Sequence, residues 1–281
     1  LLLGYESGYE ATHNQRMKLA AIEGMWDTEE APASFNLFGI PDQEARETKY
    51  AIKIPYVMGL IGTRSLTTEM PGIKDLGAQA ETRIRSGVIA YDALMQIRAA
   101  KGNVAPEVKA TFEAHSADLG YAMLLTTVVE DPKLATDAQI TQAAWKTVPQ
   151  VAPLFWSFRI MVGAGFFMLA LIGYMFFTSN FRGGRFPTWA LRVAVFAIPV
   201  PWIAAETGWF VAEFGRQPWT VDGLLPTALS VSNLSIWDVV LTLAGFVTLY
   251  TVLLVIEIRL MLAAIRKGPT HDIEVVDAWA A

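Results

Sequence analysis

VAPLFWSFRIMVGAGFFMLALIGYMFFT, residues 151–178, holds a single charged side chain, Arg159. A helix needs about 20 mostly apolar residues to cross the hydrocarbon core of a bilayer, so this run is long enough to span one. Two similar runs follow. Residues 189–214 carry Arg192 at one end and Glu206 and Glu213 towards the other, and residues 236–265 are interrupted by Glu257 and Arg259 near their end. A buried core helix would explain any one of the three, but their succession argues for a membrane region. The composition agrees: 53% of the chain is hydrophobic and 17% charged, against about 25% charged in an ordinary globular domain.

Working outward from these runs, the charge is uneven. Residues 1–150 hold 14 of the 22 Lys and Arg and 19 of the 27 Asp and Glu, whereas residues 151–281 carry eight of each sign. Two regions are therefore expected, a polar and mildly acidic one over 1–150 and a membrane one over 151–281. Basic residues in short loops mark the cytoplasmic side. Arg182 and Arg185 lie between the first two spans, and Arg266 and Lys267 follow the third. Both sites agree in placing residues 1–150 on the outer face. The chain starts LLLGYESGY, with no initiator Met and no targeting signature, as expected of a portion of something longer. Cysteine is absent, which excludes disulfides, thiolate metal sites and Cys nucleophiles. No Lys/Arg cluster points to nucleic acid, and Walker, dinucleotide, HExxH and GxSxG patterns are missing.

The outer region reads as largely helical. Residues 16–25 have helical character, and Pro32, Gly39-Ile40-Pro41 and Pro55 cut the next stretch into extended or turn pieces. Ile84, Val88, Tyr91 and Met95 recur at helical spacing and predict an amphipathic helix that ends at Gly102-Asn103. A second helix starts at Pro106 with Phe112, Leu119 and Met123 on one side, and a short polar helix after Asp131-Pro132 leads into Val151.

Polar groups inside apolar runs are the candidates for chemistry, because they usually face protein, cofactor or water. Arg159 either reaches the headgroups, pairs with a neighbouring helix or serves a site. Met161 is an ordinary gap-filler or a thioether ligand of the kind that suits haem iron. Glu206, Trp209 and Glu213 share one helix face at i, i+3 and i+7, with Arg216 and Gln217 just beyond. This is either a salt-bridged helix end or a carboxylate for protons or metal. Lys18 and Glu23 are five residues apart, about 140° around a helix. They read as surface charges unless a ligand lies across the helix end. His13, His115 and His271 are scattered, so a two-histidine haem site within the chain is not expected.

GWFVAEFGRQPW (residues 208–219) resembles subunit I of the cytochrome bd-type ubiquinol oxidases. KLAAIEGMW (18–26) with FNLFGIPDQE (35–44) resembles that family's quinol-binding loop, VAPLFWSFRIMVG (151–163) its low-spin haem helix, and GLLPTALSVSNLS (223–235) the loop that follows. These blocks occur in the family's order along essentially the whole chain, which looks like the carboxy-terminal portion of the subunit. The resemblance implies an all-α membrane protein with three transmembrane helices, preceded by a largely helical extracytoplasmic quinol-binding loop region, within a larger helical subunit of the bacterial inner membrane.

It also implies roles. Met161 corresponds to the axial methionine of haem b558 and Glu213 to the glutamate ligand of haem b595. Trp209 corresponds to the aromatic residue between the high-spin haems, and Arg159 and Arg216 to arginines that offset haem propionates. Lys18 and Glu23 correspond to the pair that binds and oxidises quinol. Glu206 receives no role. The implied reaction is oxidation of ubiquinol or menaquinol with reduction of oxygen to water at haem d, or at a haem b in its place. The implied partners are the amino-terminal half of subunit I, which supplies the histidine ligands, subunit II, small single-helix subunits, and membrane lipid. Without those histidines the chain alone is expected to be inactive. A non-enzymatic quinone-binding module is the alternative, and a structural subunit of another respiratory complex is a third reading. The first would need neither Met161 nor Glu213, and the second would leave Lys18 and Glu23 without a use.

Overall fold

The computed structural model describes residues 10, 14–101 and 103–267; His13, Gly102 and His271 lie outside them. The chain folds as two units divided after Ser230.

The first unit opens with helix α1 (Arg16–Glu23). Gly24 ends it in the left-handed region, φ 60°, with its N–H turned back to Ala20 and Ala21. A Cβ there would lie 2.9 Å from Thr48 Oγ1 and 3.2 Å from Phe155, so glycine is required both for the turn and for the close approach. The extended pieces expected around Gly39 and Pro55 form an antiparallel hairpin, β1 (Phe35–Asp42) with β2 (Glu47–Ile54). Its turn is fixed by Asp42 Oδ1, which accepts the N–H groups of Glu44 and Ala45 at 3.1 and 3.0 Å. From that turn Gln43 Oε1 accepts the N–H of Val151 at 3.0 Å. The hairpin tip therefore satisfies one of the open donors at the start of the first spanning helix.

Helix α2 (Ile73–Ala99) is longer than the Ile84–Met95 periodicity predicts. Ile84 is fully buried, but beyond it the buried positions are Gly87, Ala90 and Ala93 rather than Val88, Tyr91 and Met95. Small residues let the neighbouring backbone come close, and a hydropathy stripe underweights them. The segment from Pro106 divides into α3 (Pro106–His115), a 3-10 turn and α4 (Leu119–Leu125). Tyr121, Leu124 and Leu125 are buried there, while the expected stripe of Phe112, Leu119 and Met123 is only partly covered. The 3-10 turn rotates the face between the two helices. Helix α5 (Asp137–Lys146) starts on a reciprocal Thr136–Gln139 capping box.

The spanning helices then follow. Helix α6 (Val151–Phe181) is continuous. The second run consists of α7 (Thr188–Phe196) and α8 (Val200–Phe214), joined by a turn. Pro199 and Pro201 have no N–H for the helical ladder. The break is bridged by shorter bonds, Ile198 N to Val195 O at 3.3 Å and Val200 N to Ala197 O at 3.0 Å. Beyond α8 a small hairpin pairs β3 (Trp219–Val221) with β4 (Leu225–Pro226).

Helices α6 and α8 pack along each other, and α1 and β1 lie against α6. One core, with Ala21, Ile22, Trp26, Ile73, Val151 and Leu154, joins α1 and α2 to the start of α6. Fully burying a side chain such as Leu154 is worth about 1.5–3 kcal/mol. A second core gathers Ile84, Tyr121, Leu124, Ile140 and Trp219 between α2, α4, α5 and β3.

The second unit contains α9 (Ile236–Lys267). Ser235 and Asp238 cap its start reciprocally, Ser235 N to Asp238 Oδ2 at 3.1 Å and Asp238 N to Ser235 Oγ at 3.2 Å. Arg266 and Lys267 lie in its last turn, where the helix dipole favours cations. Among the described residues three segments are thus long and apolar enough to cross a membrane: α5 through α6, α7 with α8, and α9.

Candidate functional site

The polar candidates collect in two places. At the first, Glu23 closes α1 with 2% of its surface exposed, against Asn36 of β1 at 4%. Glu23 Oε2 accepts the Asn36 N–H at 3.1 Å and Arg159 Nη2 at 3.4 Å, and the Asn36 amide donates to the Glu23 carbonyl at 2.7 Å. Arg159 reaches out of α6, two residues before Met161. It donates to the carbonyls of Ile22 (2.8 Å), Phe155 (2.9 Å) and Asn36, with its guanidinium 3.2 Å from the centre of the Phe155 ring. Burial pushes the Glu23 carboxyl up to about 7; the Arg159 charge and the Asn36 N–H hold it from going further. Three buried atoms of this cluster lack a partner: Glu23 Oε1, Asn36 Oδ1 and Arg159 Nε.

At the second place, Lys18 points away from Glu23. Its ammonium donates to Gln15 Oε1 at 2.9 Å and to the Ala212 carbonyl of α8 at 3.3 Å. Burial lowers its pKa, the neighbouring Arg216 lowers it further, and Glu213 opposes them. Glu213 and Arg216 are hydrogen-bonded as an ion pair. Lys18 and Arg216 share a cavity of about 260 Å³ with Arg16, Arg83, Gln217, Tyr121 and Asp222. Across it Arg83 bonds Asp118 at 2.7 Å and Tyr121 Oη at 3.1 Å, and burial raises the Asp222 carboxyl. Glu23 lines no part of this cavity.

Between helices α6 and α8, Met161 meets Gly208. A Cβ on Gly208 would lie 2.9 Å from the Met161 sulfur. Trp209, the next residue, is 65% exposed, and Glu206 is exposed on the same helix.

The profile of the cytochrome bd terminal oxidase subunit I family matches residues 1–269. The chain belongs to that family. It is similar to the cytochrome bd-II ubiquinol oxidase subunit 1 of Escherichia coli (strain K12), with 41% identity over 96% of this chain and 52% of that protein. It is also similar to the cytochrome bd ubiquinol oxidase subunit 1 of Bacillus subtilis (strain 168), with 28% identity over 96% of this chain and 46% of that one. The chain spans about half the length of these curated relatives. Members of this family are haem-binding, multi-pass proteins of the bacterial inner membrane, and the three spanning segments accord with that placement.

For a bd-family chain the donors present fit haem in a limited way. Met161 offers one thioether in the cradle left by Gly208, and Glu213 one carboxylate. Among the described residues no three His, Cys, Asp or Glu side chains converge, so each donor stands singly. The structure brings Glu23 to Arg159, and Lys18 to Glu213 and Arg216, with Lys18 but not Glu23 lining the cavity beside Arg216. Sequence reading passed over Asn36, although it lies in the FNLFGIPDQE block, because a lone polar residue in a non-alternating strand gives no periodic signal. Arg83, Tyr121 and Asp222 were likewise hidden, since they meet only through α2, α4 and the β3–β4 turn.

Proposed function

We propose that the chain forms the quinol-oxidising, haem-carrying portion of a bd-type oxidase that couples quinol oxidation to reduction of oxygen to water. The buried Glu23–Asn36–Arg159 cluster, set two residues from Met161 on α6, is the observation that carries this reading. When bound, the haems, by family likeness b558, b595 and d or a second b, supply the one-electron chemistry between quinol and oxygen.

The chain's own residues do the rest. Glu23, poised near neutrality, accepts a quinol proton. Arg159 keeps that carboxyl ionisable despite its burial. Lys18, lowered by its surroundings and close to Arg216, orients a quinol oxygen from the cavity side. Met161 would hold one haem through its thioether and Glu213 another through its carboxylate, Arg216 would balance the charge beside Glu213, and Trp209 would pack against a planar group on the exposed face of α8. The basic loops at Arg182, Arg185, Arg266 and Lys267 support placing residues 1–150 outside, so that quinol protons are released on that side and a gradient forms. The remainder of subunit I, subunit II and small single-helix subunits complete the assembly.

The test is the reduced-minus-oxidised haem spectrum of the assembled oxidase in membranes, with Met161 and with Met161→Leu. Selective loss or displacement of the low-spin band is expected in the variant. An unchanged band removes Met161 from the iron, and the absence of any haem signal in the assembled parent overturns the oxidase reading.

A further inference from the structure

Asn36 borders a second cavity, also about 260 Å³, between the end of α1 and the hairpin. Its walls include Trp26, Glu29, Thr48, Ala51 and Lys53, and at Ala51 and Glu47 it reaches exposed residues of β2. A space of this size holds several waters, each needing only about 10–15 Å³. The wall is polar. Trp26 Nε1 donates to Thr48 Oγ1 at 3.2 Å, Thr48 donates to the Gly24 carbonyl at 2.6 Å, and Glu29 pairs with Lys53. On the inner side, Glu23 Oε1 and Asn36 Oδ1 are both buried acceptors without a donor. Buried polar atoms are rarely left so, and one water donating to each would satisfy both.

We propose that this cavity is the exit path for the quinol proton, with Asn36 the positioning residue that links the Glu23 carboxyl to water inside it. The proposal rests on Glu23 being the proton acceptor in quinol oxidation. Each quinol converted to quinone loses two electrons to the haems and two protons. Glu23 takes the two protons one after the other at its carboxylate, passes each to the water held with Asn36 and returns to the carboxylate in between, while each proton moves through the cavity past the Glu29–Lys53 pair to the aqueous phase. Glu23 itself lines neither cavity, but Asn36, which is bonded to it, lines this one and not the Lys18 cavity.

The test compares three variants of the assembled oxidase in membranes: Asn36→Leu, Ala51→Phe and Glu23→Gln. Readouts are quinol oxidation (kcat and KM separately), the solvent deuterium isotope effect on kcat, and haem content by spectrum. Asn36→Leu breaks the link and Ala51→Phe fills the cavity from β2 without touching Glu23. Both are expected to lower kcat roughly tenfold and raise the isotope effect, with KM and the haem spectrum kept. Parental kcat and isotope effect in Ala51→Phe, with Glu23→Gln inactive, overturn the exit path and leave the proton-acceptor reading standing. Parental activity in Glu23→Gln with full haem content overturns that reading, and the exit path with it.

Discussion

Replacing Arg159 by Met keeps the length of the side chain and removes its charge and its fork of donors. Arg159 Nη2 lies 3.4 Å from Glu23 Oε2, and at an effective dielectric constant of about 20 a pair at that distance is coupled by about 5 kcal/mol. At about 1.36 kcal/mol per pH unit this is roughly three and a half, and penetrating water will take back part of it, leaving about two. The Glu23 carboxyl, already near 7 through burial, is then expected at about 9 or above in the variant. The sign follows from the base role: only the ionised carboxylate accepts a proton, so kcat for quinol oxidation rises with pH through the Glu23 pKa. In the parent that rise centres near pH 7; in Arg159→Met it moves about two units alkaline, and turnover at pH 7 falls accordingly. The assay is the kcat–pH profile of the assembled oxidase in membranes, with haem reduction by a small-molecule reductant as a check on the cofactors. Arg159→Lys separates charge from geometry, because it keeps the charge but leaves the Ile22, Phe155 and Asn36 carbonyls without the same donors. Coincident profiles for the parent and Arg159→Met would show that the pair does not set the proton affinity of Glu23.

Three further outcomes are expected. Gly208→Ala places a Cβ 2.9 Å from the Met161 sulfur; the flexible thioether gives way, so the protein assembles while the low-spin haem band shifts, and an unshifted band argues against Met161 as ligand. Because the folded-state Glu23 pKa is raised from 4.5 to about 7, Glu23 favours the fold below pH 4.5 and loses that contribution as pH rises to 7, about 3 kcal/mol in all. Glu23→Gln therefore flattens the decline in resistance to proteolysis of the 1–150 region over that range, and an unaltered slope refutes the assignment. Thr136→Ala removes the α5 capping box and costs about 1 kcal/mol, read as roughly fivefold faster hydrogen exchange of α5 amides; unchanged exchange would mean that tertiary packing alone holds the helix start.

The spanning runs were legible because a bilayer demands length and apolarity that no other environment requires over so many residues. The break in the second run was marked in the sequence by Pro199 and Pro201, but hydropathy averages across it. The β1–β2 hairpin was legible only as extended pieces: FNLFGIPD lacks alternation, two irregularities interrupt its register, and much of β2 is exposed. The contacts that make the site were out of reach for a different reason. Arg159 meets Glu23 across 136 positions of sequence, and neither residue's local pattern names the other. Its own stretch of sequence leaves Arg159 between the headgroups, a neighbouring helix and a site, and the resemblance implies a haem propionate; the structure has it bonded to the end of α1, and Asn36 joins the pair because the hairpin folds back over α1.

The separation of Lys18 from Glu23 follows from the shortness of α1. Five residues at about 1.5 Å each place them some 7–8 Å apart along the axis and about 140° apart around it. Lys18 meets the carboxy-terminal end of α8 through the Ala212 carbonyl, beside Glu213, and Glu23 meets α6 through Arg159, beside Met161. One short helix thus touches both membrane helices that carry the candidate ligands, from opposite faces. The cation and the buried base are thus presented on separate sides of the helix, Lys18 to the cavity and Glu23 to Arg159 and Asn36. Their coupling should then run through the position of α1 itself. Gly24 fixes where the helix stops and Phe155 fixes how it sits on α6, so a change at Gly24 should disturb both quinol contacts at once, whereas a change at Lys18 should spare the proton affinity of Glu23.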